Sequence, residues 1–245
     1  MLSTVYIVLF YLASIVLMTG IISRIIIYWK IPAPLVIPTM PAPRTNQGVF
    51  LRMLSEVTLF RSLFRANKWI WLFGWAFHVG LLLVTLRHFR YFQEPVWFWV
   101  KWVQPFGIYA GFAMMLGLFG LLARRFFVER IRYISTLSDY LILVLLIMIV
   151  LSGLTMKYIA HTDIIAVKDF MIGMMVFDFK PIPQDTPFLI HLGLVIILMI
   201  IFPMSKLMHA PGIFFSPTRN QLDNSREQRH QANWAVSLDK NIEAK

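Results

Sequence analysis

The sequence predicts an all-α membrane protein of five transmembrane helices, with the N-terminus outside and the C-terminus in the cytoplasm. Three observations predict it. The 245 residues are 58% hydrophobic and only 14% charged, whereas soluble domains lie nearer half apolar and a quarter charged. Five apolar stretches recur along the chain at lengths suited to a hydrocarbon core about 30 Å thick. The positive residues behind a net charge of +11 gather in particular loops, which fits membrane orientation better than nucleic-acid binding. No cysteine is present. That excludes disulfides, thiolate-held iron–sulfur clusters and a C-x-x-C-H covalent haem site, leaving His, Met or carboxylate for any metal.

Residues 5–28 form the first span. No Lys/Arg-rich segment precedes them, the stretch is longer than a signal-peptide core, and no A-x-A site is evident, so it reads as a retained helix. Arg24 lies near its end, where it can snorkel to the headgroups. The loop 30–68 holds Lys30, Arg44, Arg52, Arg61, Arg65 and Lys68 against Glu56. Its Pro-rich part, 31–43, reads as extended, polyproline-like chain. Within 48–66, Val49, Met53, Leu54, Val57, Phe60 and Leu63 recur at helical intervals, as in an amphipathic helix lying in the interface. Such a helix either caps the bundle or offers a docking surface to a cytoplasmic subunit.

Residues 69–86 and 103–123 are the second and third spans. The loop between them carries Arg87, Arg90, Glu94 and Lys101 among aromatic residues suited to the headgroup level. The third span has Gly107 and Gly111 at G-x-x-x-G spacing, then Gly117 and Gly120. Small residues there admit a close helix neighbour or the edge of a flat cofactor. Arg124, Arg125, Arg130 and Arg132 form a second basic cluster. Residues 141–156 are the fourth span. Residues 164–179 are apolar but short and interrupted by Lys168 and Asp169, hence interfacial. The fifth span begins at Phe188, and a polar tail follows Pro211. The basic loops mark the cytoplasmic side. The predicted division is a first helix (1–29), a cytoplasmic loop (30–68), a four-helix core (69–212) and a cytoplasmic tail (213–245).

Two spans carry paired histidines: His78 and His88 on the second, His191 and His209 on the fifth and its exit. An imidazole inside a membrane is a functional-site candidate by default. A low-spin b-type haem is gripped by two neutral imidazoles from facing helices. The second span runs inside to outside and the fifth returns, so His88 falls opposite His191 near the outer face and His78 opposite His209 near the inner. The expectation is two haem b groups with all four histidines as iron ligands. In a straight helix His191 and His209 share one stripe, about 27 Å apart, while His78 and His88 stand about 15 Å apart and about 80° around the axis. Helix tilt or a bend at Pro203 would reconcile the two spacings. The bland alternative is a packing histidine bonded to a serine or carbonyl, which four in two antiparallel pairs disfavour. His161 opens an outer loop and is either a surface residue or part of a quinone or proton path. His230 lies in the polar tail and reads as solvated. Met204 and Met208 are weaker ligand candidates. Arg87 and Arg90 are either partners of haem propionates or ordinary interface anchors.

At Phe77-His78-Val79-Gly80 with His88 beyond it, Ser138-Asp139-Tyr140-Leu141-Ile142-Leu143, and His191-Leu192 followed by Phe202-Pro203-Met204-Ser205-Lys206-Leu207-Met208-His209, the chain resembles the NarI-like diheme cytochrome b family of respiratory nitrate reductase gamma subunits. The likeness covers roughly residues 65–212. It implies the same ligand pairs and a quinone site near the outer haem. The Pro-rich 31–43 segment, residues 59–69, Pro105-Phe106-Gly107-Ile108-Tyr109-Ala110-Gly111 and residues 209–220 are similar to the M subunits (DsrM) of DsrMKJOP complexes of dissimilatory sulfur metabolism, over nearly the whole chain. That resemblance implies a bacterial inner-membrane complex with a cytoplasmic iron–sulfur K subunit (DsrK-like) resembling heterodisulfide reductase, and with J, O and P subunits. The family's quinone-site lysine has no sure counterpart. Lys101 and Gln104 lie near its place, and no catalytic residue is assigned.

The sequence thus reads as a quinone-linked oxidoreductase subunit that moves electrons between the membrane quinone pool and the iron–sulfur partner, without nucleic-acid binding. One alternative is a proton-conducting transporter, against which stand the lack of an inverted repeat and the few acids within the spans. The other is a cofactor-free membrane anchor whose basic loops recruit a partner.

Overall fold

A computed structural model of the chain describes residues 1–30, 38–224 and 235–237. Most of the Pro-rich segment and His230 lie outside the described residues. Among those described there is no strand, and five helices are long and apolar enough to cross a membrane: Leu2–Lys30, Lys68–Tyr91, Phe98–Phe127, Leu137–Ala160 and Thr186–Met204. The element order is α1 (Leu2–Lys30), α2 (Asn46–Leu59), α3 (Arg61–Ala66), α4 (Lys68–His88), α5 (Phe98–Phe127), α6 (Glu129–Ile134), α7 (Leu137–Thr155), α8 (Ile164–Met175) and α9 (Thr186–Ile201), followed by short turns.

The helices outrun the apolar stretches because capping, not hydropathy, ends them. The Asn67 side chain accepts from the Ile70 N–H at 3.0 Å to start α4. Thr136 and Asp139 form a reciprocal capping box on α7. Asp163 accepts from the N–H groups of Ile165 and Ala166 to start α8. Each satisfies donors that a helix start leaves open.

The chain divides into two compact units, Met1–Ser14 with Leu63–Met199, and Ile15–Ser62 with Ile200–Lys245. In the first, α4 lies against α5 at glycines. A Cβ on Gly80 would come within 2.8 Å of the Ala110 carbonyl oxygen, and one on Gly117 within 2.6 Å of that of Phe73. The approach needs small residues, as membrane helix packing generally does. Phe77, Met114, Leu118, Leu146, Ile147 and Val150 fill the core shared with α7. A second core gathers Val167, Phe170, Met171 and Met174 of α8 onto Phe188, Leu192 and Ile196 of α9 and Ile7 and Ala13 of α1. At 12 residues α8 is too short to span, and Phe170 anchors it fully buried. Tyr6 and Tyr11 donate to the carbonyls of Leu189 and Met174, which ties α1 to the same core.

In the second unit the helix expected over 48–66 is broken. Phe60 takes a left-handed conformation (φ 49°). The Glu56 carboxylate reaches past the break and accepts from both the Ser62 N–H and the Ser62 hydroxyl, so it serves the first turn of α3. Helix α2 has no buried residue and leaves Phe50, Leu51, Leu54 and Leu59 exposed, as an interfacial helix would. The tail is less free than its polarity suggests. Arg219 pairs with Glu56 at 3.2 Å, and the Asp223 N–H donates to the Pro43 carbonyl at 2.9 Å.

The straight fifth helix is corrected. Helix α9 ends at Ile201, a 3₁₀ turn covers Phe202–Met204, Ser205 is extended, and a second 3₁₀ turn covers Lys206–Met208. Pro203 brings no N–H to the ladder, and Ser205 restarts the chain by accepting from the Leu207 N–H. The single-stripe arithmetic for His191 and His209 therefore does not apply.

Candidate functional site

His88 sits in the last turn of α4, and His191 in the second turn of α9. Their ring centroids are 6.3 Å apart and their planes are inclined by 14°. Offset-stacked rings have centroids roughly 4.5–7 Å apart. A metal held from both sides by imidazole nitrogens at roughly 2.0 Å each would leave the centroids roughly 6 Å apart. The observed 6.3 Å falls within both ranges.

Each ring is oriented by the nitrogen that would not bind metal. The Nδ1–H of His88 donates to the Val84 carbonyl at 2.6 Å, and that of His78 to the Gly74 carbonyl at 2.7 Å. These acceptors lie four residues back on the same helix. In the second unit His209 donates from Nδ1 to the Lys206 carbonyl at 2.8 Å. A carbonyl can only accept, so Nδ1 carries a proton in each ring; in a neutral ring that leaves the lone pair on Nε2, the tautomer a metal requires.

His191 is held differently. Its Nδ1–H faces the Ile149 carbonyl at 3.1 Å and the Ser152 hydroxyl at 3.0 Å, both on α7. The ring packs beside Gly153, where a Cβ would stand in contact with its Cε1 at 3.4 Å. Sequence reasoning missed Ser152 and Gly153; the signal was a small pair inside an otherwise bulky apolar span.

The other expected residues fall as follows. His78 belongs to the first unit, with the Phe77 ring edge-on at 4.7 Å. His209 belongs to the second unit and is exposed. His161 is exposed, left-handed, and caps the turn after α7. Met208 is buried and Met204 exposed. Lys101 is exposed. Gln104 accepts from Arg87 Nε and from Arg90 Nη1, both at 3.1 Å.

Five helices long and apolar enough to span, with the rings of His88 and His191 brought together between the second and the fifth, define a multi-pass helical membrane protein. The chain belongs to the nitrate reductase gamma subunit family, which residues 57–220 match, a range that takes in His78, His88, His191 and His209. It is 34% identical over 269 positions to the Hdr-like menaquinol oxidoreductase cytochrome b-like subunit of Archaeoglobus fulgidus, covering 91% of this chain and 81% of that protein. The protein of the same name from Archaeoglobus profundus is 33% identical over 271 positions, covering 91% and 80%.

Proposed function

We propose that the chain is the diheme b-type cytochrome subunit of a quinone-linked membrane oxidoreductase. His88 and His191 would hold one haem b near the outer face, and His78 and His209 the other near the cytoplasmic face. Bound haem supplies a one-electron carrier whose potential follows its axial ligands, their hydrogen bonds and its burial. The chain's own work is to present each Nε2, to fix the rings through Nδ1, and to keep water out with the Phe77–Leu118–Val150 core. The parallel His88 and His191 rings at 6.3 Å carry this reading.

The relatives' name supports quinol as the membrane-side partner, of the menaquinol class, and supports membership in a larger complex. The remaining reading rests on sequence resemblance: exchange with a cytoplasmic DsrK-like iron–sulfur subunit alongside further Dsr subunits, in dissimilatory sulfur metabolism. The basic loops favour an N-terminus outside and a C-terminus in the cytoplasmic membrane's inner aqueous side.

A dithionite-reduced optical spectrum with haem quantitation tests the proposal. Two haems per chain are expected. His88→Leu and His191→Leu should each remove the same single haem, and the double variant no more than either. His78→Leu and His209→Leu should remove the other. A featureless alpha-band region, or full haem content in these variants, would overturn it.

A further inference from the structure

The end of α4 and the first turns of α5 hold a cluster made almost wholly of hydrogen-bond donors. Arg87 and Arg90 both donate to the one Oε1 of Gln104, and Arg87 also reaches the Gly107 carbonyl at 3.4 Å. Two guanidiniums on Oε1 fix the amide, because a flipped amide would set its NH₂ against both cations. The Nε2 of Gln104 is thereby aimed elsewhere, and it is buried without an acceptor. Among the described residues neither Arg87 nor Arg90 forms an ion pair. Gly107 keeps room for this arrangement, since a Cβ there would stand 2.8 Å from the Arg87 Cδ. The two cations have no negative charge beside them, and the Gln104 NH₂ has no acceptor.

The cluster is linked to the histidine site. Arg90 lies 5.6 Å over the Tyr91 ring, and Tyr91 meets His88 edge-on at 5.7 Å. We propose that Arg87, Arg90 and the Gln104 amide form a carboxylate clamp for a propionate of the haem held by His88 and His191. A neutral quinone would satisfy the NH₂ but leave two adjacent cations unbalanced. A carboxylate answers both needs and suits the planar guanidinium fork. The inference rests on the haem reading above.

The test uses the purified full chain carrying haem labelled with ¹³C at its propionate carboxyls, followed by redox-difference infrared spectroscopy. Isotope-shifted carboxylate bands are expected in the native protein. They should move in Arg87→Gln and Arg90→Gln, and also in Gln104→Glu, whose own carboxylate would occupy the clamp. Arg87→Lys should restore part of the native band position, and it carries the test if Arg87→Gln loses the outer haem outright. Arg132→Gln, in α6 beyond the opposite end of α5, should leave the bands in place. Absence of haem from the native chain would sink the parent reading. Full haem content with labelled bands unmoved in every clamp variant would sink the clamp alone. Weakened binding of a quinone-analogue inhibitor with unmoved bands would reassign the cluster to the quinone.

Discussion

Ser152 illustrates how one hydroxyl sets two potential ligands apart. His88 is oriented by its own helix, whereas His191 takes its hydrogen-bond acceptors from α7. A hydrogen bond to the outer nitrogen raises the basicity of a ligating imidazole and favours the oxidised metal. A net bond of about 1 kcal/mol corresponds to roughly 40 mV in a one-electron couple. Ser152→Ala is therefore expected to raise the midpoint of one haem by tens of millivolts at most, because the Ile149 carbonyl remains. Potentiometric titration that finds both midpoints unchanged would remove Ser152 from this role. Asp139 acts on stability instead. It is 6% exposed and accepts from both the N–H and the hydroxyl of Thr136, each at 3.0 Å, with Arg125 at 3.7 Å. Asp139→Ala is expected to cost about 1–2 kcal/mol through the lost cap, read as a lower unfolding midpoint in detergent with an unchanged haem spectrum.

The helix elements set the spacing within which those residues work, and glycine decides it at two contrasting positions. Alanine in place of a helical glycine ordinarily gains up to about 1 kcal/mol in propensity and unfolded-state entropy. At Gly193 that gain is available, because a Cβ would meet only the Tyr6 hydroxyl oxygen at 3.7 Å. At Gly117 the Cβ would strike the Phe73 carbonyl oxygen at 2.6 Å and the Phe77 nitrogen at 2.7 Å, which are backbone atoms that cannot swing aside. Gly193→Ala should thus be neutral or stabilising, and Gly117→Ala destabilising with loss of haem. Equal melting temperatures for the two would contradict the close α4–α5 crossing. The glycine spacing was readable in the sequence; which glycine faced backbone was not. The break at Phe60 was unreadable for a related reason. Residues 48–66 keep helical periodicity throughout, and what ends α2 is a carboxylate from Glu56 reaching six residues ahead.

At the scale of the whole molecule, the five spans and the histidine positions follow from hydropathy and periodicity, which act locally along the chain. The His191 tether to α7 and the shared Gln104 acceptor depend on contacts 42 and 14–17 residues apart, and no local pattern encodes them. Pro203 lies between these cases: a bend there was one way to reconcile the two histidine spacings, and the extended Ser205 that follows had no local signal. Orientation is the molecular property on which the proposed roles of the outer and inner sites most depend, and the cysteine-free chain makes it directly measurable. Tyr133, beside the basic residues of α6, is 93% exposed. The Asp178 side chain, in the loop between α8 and α9, is 64% exposed. Neither belongs to the histidine site, so cysteine at either position should leave the haem spectrum intact. By the charge bias of the loops, Asp178→Cys should react with a membrane-impermeant maleimide in intact cells, and Tyr133→Cys only after permeabilisation. The reverse pattern would turn the molecule over. His88 and His191 would then face the cytoplasmic side, and His78 and His209 the opposite side, so the outer and inner assignments drawn from the loops would be exchanged while the ligand pairs themselves stand.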